Sequence, residues 1–122
     1  MGAIDRPTFG NGKICYIEIP SNNINASANF YQKVFGWNIR KDGNGNISFD
    51  DTVGEVSGMW VSDRKPASEI GFIISIMVES IAATVELIKL NGGNIIKVDM
   101  DSNEKIAWFS DPTGNILGLY QQ

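Results

Sequence analysis

Histidine is missing from all 122 residues of the chain. Neither a Ser-His-Asp nor a Cys-His arrangement can exist, so the commonest routes to nucleophilic catalysis are closed. General acid-base work would fall to a carboxylate, a lysine, a tyrosine or the single cysteine, Cys15. Glu18 stands out, because in the strand-like run Ile14-Cys15-Tyr16-Ile17-Glu18-Ile19 it alternates onto the same side as Tyr16. A carboxylate in an apolar cup can have a raised pKa and act as a base, or can pair with a cationic or hydroxyl group on a ligand. At a strand end it can equally be satisfied by local hydrogen bonds or by an arginine. Trp60, Trp108 and Tyr120 fall on expected strands, where they can line a cup as stacking surfaces, whereas Trp37, beside a helix end, reads as core. The glycine-rich pieces Gly43-Asn44-Gly45 and Asn91-Gly92-Gly93 lack phosphate-binding spacing and read as turn and cap.

The elements that must position these residues come in two copies. Lys13 to Arg40 and Ile70 to Lys97 share one pattern, with Asn23 matching Ser80, Ile24 matching Ile81, Gly36 matching Gly93 and Ile39 matching Ile96, each 57 residues apart. In the first copy Pro20 is expected to stop the strand. Asn23 then caps a helix whose apolar stripe is Ile24, Ala28, Tyr31 and Phe35, closed by Gly36. Strands follow over residues 37–41, 47–50 and about 56–62, the first pair joined by the turn Asp42-Gly43-Asn44-Gly45-Asn46. In the second copy a strand over residues 72–78 leads to a helix capped by Ser80 with a stripe of Ile81, Val85 and Ile88. Residues 94–98, 105–110 and 116–121 supply its remaining strands. The expectation is an α+β fold of two tandem βαβββ modules in one domain, about residues 13–62 and 70–121 with a linker at 63–69, forming a curved mixed-sheet cup with helices outside. Ile17, Ile19, Ile74 and Ile76 belong under the helices, and Tyr16, Glu18, Ile73 and Ser75 on the opposite faces.

Composition narrows the partners. At 122 residues and 43% hydrophobic content the chain can bury one sizeable core but not two ordinary domains. A net charge of -4 argues against a nucleic-acid partner, which asks for a basic face. No apolar run is long enough to span a bilayer, the first residues have no secretory signal pattern, and Arg6 spoils a myristoylation motif. A lone cysteine in an apolar run fits a reducing compartment, so the default expectation is a cytoplasmic protein.

With the modules in register, the chain resembles the vicinal oxygen chelate superfamily, which includes glyoxalase I, extradiol dioxygenases and the fosfomycin- and bleomycin-resistance proteins. The marks are Glu18-Ile19-Pro20, Phe30-Tyr31-Gln32-Lys33-Val34-Phe35-Gly36-Trp37, Asn91-Gly92-Gly93 and Phe109-Ser110-Asp111-Pro112-Thr113-Gly114-Asn115. The resemblance implies a divalent metal held in the cup by His, Glu or Gln from four strands. Carried over position by position, those ligands would fall at Tyr16, at one of residues 57–59, at Ile73 and at Gly118. Isoleucine and glycine bring no side-chain donor, and tyrosine is protonated at neutral pH. No cofactor is therefore expected, and a metal site on Glu18 with Glu55 or aspartates is disfavoured.

The resulting reading is a metal-independent member that binds a small organic molecule in an apolar, aromatic-lined cup. Tyr16, Glu18, Trp60, Ile73, Ser75, Trp108, Gly118 and Tyr120 are its candidate contacts. One alternative is a lyase or isomerase of glyoxalase type, with an atypical metal site or with Glu18 as a metal-free base. The other is a protein-interaction module with a vestigial cup. The resemblance also implies a homodimer.

Overall fold

The computed structural model describes residues 7–101 and 103–121, so the expectations for Met1 to Arg6 lie outside the described residues. β1 (Tyr16–Pro20) leads to α1 (Ile24–Phe35), then β2 (Asn38–Lys41), β3 (Ile47–Asp50) and β4 (Ser57–Val61). The second half repeats the order with β5 (Ser75–Met77), α2 (Ile81–Leu90), β6 (Asn94–Asp99), β7 (Lys105–Ser110) and β8 (Ile116–Gln121). The sheets run β1-β4-β3-β2 and β5-β8-β7-β6, with the first pair in each parallel and the others antiparallel. This is the expected duplicated βαβββ architecture.

Local chemistry starts and stops the helices where the sequence places them. The Asn23 side-chain oxygen accepts from the Ala26 amide at 3.1 Å, and Ser80 Oγ accepts from the Ala83 amide at 3.1 Å, each satisfying an orphan donor of a first turn. Gly36 ends α1 at φ 73°, where its amide donates to the Gln32 carbonyl at 2.9 Å. Gly93 is required for another reason. A Cβ there would meet Ile88 Cγ2 at 2.6 Å and the Ser110 carbonyl at 2.8 Å, so only glycine lets α2 close onto β6 and β7.

Both helices feed one continuous core. Tyr31 stacks on Trp37 at 4.7 Å between ring centroids, Trp37 on Phe49 at 4.6 Å, and Phe49 leans on Trp60 at 4.8 Å. Phe30 crosses to Phe109 of the second module at 6.1 Å. Helix α1 also touches α2, whereas among the described residues no strand of the first sheet comes alongside a strand of the second. The modules are therefore joined by helices and by a polar latch. The Tyr31 hydroxyl donates to Asp111 Oδ2 at 2.9 Å, and Asn115 Nδ2 donates to the Pro20 carbonyl at 2.6 Å.

β1 stops at Pro20 as expected, with Pro20 its last residue opposite Val61, and the Ser21 amide donates to the Val61 carbonyl at 2.8 Å. β1 is a sheet edge, so a residue without an N–H costs no ladder bond on its open side. The strand expected over 72–78 shrinks to Ser75–Met77, leaving Phe72 fully exposed and Ile74 partly so rather than in the core. A continuous β-branched run reads as a buried strand, yet β5 is also an edge and pairs only with β8. Trp60 lies opposite Ile19 and shares its helix-covered face, not the open one, and is 1% exposed.

Candidate functional site

One face of each sheet is left open by its helix, and strand register decides what stands there. On the first sheet Tyr16 pairs with Ser57 and Glu18 with Met59, so these four side chains share the open face while Ile17, Ile19 and Trp60 turn inward. Tyr16 is about half exposed. Glu18 pairs with Arg64 Nη2 at 2.5 Å, and the same guanidinium reaches Asp63 Oδ1 at 3.1 Å. The hydrogen bonds that Arg64 donates to Glu18 and then to Asp63 hold its pKa above its already high range. Arg64 comes from the connection after β4 and was not among the residues singled out by sequence. Its place before a proline in a charged connector signals a loop but not the strand it returns to.

On the second sheet Ser75, Gly118 and Trp108 stand in one row across β5, β8 and β7, and Met77, Tyr120 and Ile106 in the next. The Tyr120 hydroxyl donates to Glu104 Oε2 at 3.1 Å, a bond that pushes its pKa up. The Lys97 ammonium sits 4.6 Å above the centre of the Trp108 ring, a cation held on an aromatic face. Ile73 is half-buried and reaches toward Gly118. The structure therefore gathers Ile73, Ser75, Trp108, Gly118 and Tyr120 on one sheet and Tyr16 with Glu18 on the other. Trp60 belongs to neither group.

A Cβ added at Gly118 would meet Ser75 Oγ at 2.8 Å and Ile73 Cγ2 at 3.1 Å. A side chain leaving β8 here would have to displace the Ser75 hydroxyl and press on Ile73.

A second concavity lies between the modules on the helix-covered side. It is a groove of about 1150 Å³ walled by β1 and the end of α1 on one side and by β5 and the first turn of α2 on the other. Ile17, Ile19, Trp37, Phe49, Ile76 and Leu117 contribute to its lining. Ser75 is the one sequence-selected candidate that borders it.

Residues 13–119 match the family described as the Glyoxalase/Bleomycin resistance protein/Dioxygenase superfamily. The chain belongs to this superfamily. Among the superfamily's relatives, a glyoxylase-like domain-containing protein from Didymella fabae is 31% identical over 121 residues, covering 86% of this chain and 90% of the relative. Solved structures share the fold at lower identity. A superfamily member from Sphaerobacter thermophilus matches with a TM-score of 0.73 at 18% identity, over 91% of this chain and 98% of that one. TnmS3, an antibiotic binding protein from a Streptomyces species, matches with a TM-score of 0.71 at 18% identity, over 93% and 98% of the two chains.

The superfamily's metal can be tested against the residues present. Tyr16, Ile73 and Gly118 do not make the donor set of a divalent metal, since two of the three offer no side-chain donor and a single phenol oxygen remains. Among the described residues no three acidic or cysteine side chains gather closely enough to hold an ion. These residues do not fit the metal.

Proposed function

We propose that this protein binds a small organic molecule on its open sheet faces without a metal. Gly118 carries the reading. At the position where the family's glutamate ligand would stand, glycine brings no donor, and a Cβ there would crowd Ser75 Oγ at 2.8 Å and Ile73 Cγ2 at 3.1 Å. What remains on these faces is a stacking surface at Trp108 with its ammonium, a phenol at Tyr16, and a carboxylate at Glu18 engaged with Arg64. Such a surface suits a planar ligand with a few polar groups. The likeness to an antibiotic binding protein supports a binding role.

The candidate residues divide between two sheets whose strands, among the described residues, do not meet within one chain. That division supports a homodimer in which the open face of one chain's first module and that of another's second module together enclose the ligand.

The test is a thermal-shift screen of small aromatic metabolites and antibiotics in the presence of a chelator. A ligand that binds the native state must raise its stability. The expected result is a stabilising compound whose effect survives chelation and disappears in Trp108→Ala and Tyr16→Ala, together with a dimer by light scattering. One tightly held divalent ion per chain that Glu18→Gln abolishes would overturn the metal-free reading in favour of an enzyme. No stabilising compound at millimolar concentration would favour the protein-interaction alternative.

A further inference from the structure

The geometry points to a second binding site, in the groove between the modules, for an apolar molecule carrying one protonated amine. This site shares with the open faces only Ser75 and Met77 at its border, and it goes beyond the reading above. Its floor is aliphatic and aromatic, with Ile17 and Trp37 from the first module and Ile76 and Leu117 from the second. At about 1150 Å³ it matches or slightly exceeds the usual ligand pocket, so one drug-sized or chain-like molecule fills it. An apolar concavity of this size left to water is unusual on a soluble chain.

Charge complementarity selects the ligand. Among the described residues the ionisable groups lining the groove are Asp51 and Glu79, with no lysine or arginine beside them. Asp51 is held in place, since its Oδ1 accepts from the Glu55 amide at 2.8 Å and the Val56 amide at 3.3 Å, and among the described residues its second oxygen accepts no hydrogen bond. Glu79 stands exposed just before the α2 cap Ser80. An anionic amphiphile would meet two like charges and no cation, and a neutral one would leave both carboxylates unanswered. An ammonium at the rim answers them while its hydrocarbon displaces water from the floor.

The experiment titrates the full chain with decylamine, decanol and decanoate below their micelle concentrations, by calorimetry at neutral pH. Decylamine is expected to bind about fivefold more tightly than decanol, as for a partly exposed ion pair, and decanoate the most weakly. The double variant Asp51→Asn with Glu79→Gln should erase the preference for the amine and keep the affinity for decanol. Ala83→Trp, an exposed position on the groove wall, should weaken decylamine and decanol alike by about tenfold or more. Decanoate binding as well as decylamine, or Ala83→Trp binding as the parent does, would overturn the proposal. So would a parent dimer that takes up none of the three and that Ala83→Trp dissociates, which would assign the groove to a second copy. Ala83 lies on neither open face, so this site and the metal-free site can fail separately.

Discussion

Gly118 shows how one residue type can record a site's chemistry. The resemblance would place a ligand here, where glycine offers no donor, and a Cβ would crowd Ser75 Oγ and Ile73 Cγ2, so a larger residue is expected to strain β8. Gly118→Ala is expected to destabilise by about 1–3 kcal/mol through overpacking against Ser75 and Ile73, and Gly118→Glu by at least as much. Urea unfolding of both variants checks this, and a Gly118→Glu protein as stable as the parent would show that the space is open. Glu18 illustrates the converse. Its place beside Tyr16 was legible from alternation, but its partner was not, because Arg64 is 46 residues away and arrives by the path of a loop.

At the scale of elements, the modules depend on a buried polar latch more than on strand pairing. Asp111 Oδ1 accepts from the amides of Thr113, Gly114 and Asn115, each at 3.0 Å, while its Oδ2 accepts from Tyr31 and Asn115. Burial first, and the Asp111 charge second, push the Tyr31 hydroxyl well above its ordinary value. A phenol whose folded pKa is raised contributes stability that is complete below the unfolded value near 10 and is lost as pH rises toward the folded one. Stability should therefore fall steeply above pH ~10. Tyr31→Phe should cost about 1–2 kcal/mol at neutral pH and make that alkaline fall shallower. Denaturant melts of both proteins between neutral pH and pH ~11 measure it, and identical alkaline slopes would remove Tyr31 from the account.

For the molecule as a whole, acid stability rests on carboxylates of the first module. Burial raises the Asp50 pKa, but hydrogen bonds from Arg40 at 2.9 Å, from Ser57 at 2.6 Å and from Asn38 at 3.2 Å outweigh it and hold the pKa below 3.8. Glu55 is held below 4.5 by the hydrogen bond from Lys13 and then by Thr8. A lowered folded pKa contributes stability above the unfolded value that is lost as pH falls through the folded one, so the decline should begin below pH ~4.5. Arg40→Met should move the acid unfolding midpoint, followed by circular dichroism, to higher pH. An unchanged midpoint would show that the Arg40–Asp50 pair is too exposed to matter.

The amino-acid sequence determined by itself everything that depends on near neighbours or on repetition. The caps at Asn23 and Ser80, the left-handed Gly36, the hairpin at Asp42 to Asn46 and the duplication at an offset of 57 were all readable, because each is satisfied within a few residues or stated twice. Tertiary structure alone decided that Trp60 faces the core, that β5 is a short edge, that Arg64 answers Glu18, and that an apolar groove bordered by Asp51 and Glu79 lies between the modules. The physical reason is register. Alternation assigns side chains to two faces of a strand but does not say which face a helix covers, and only pairing with a distant strand chooses between them.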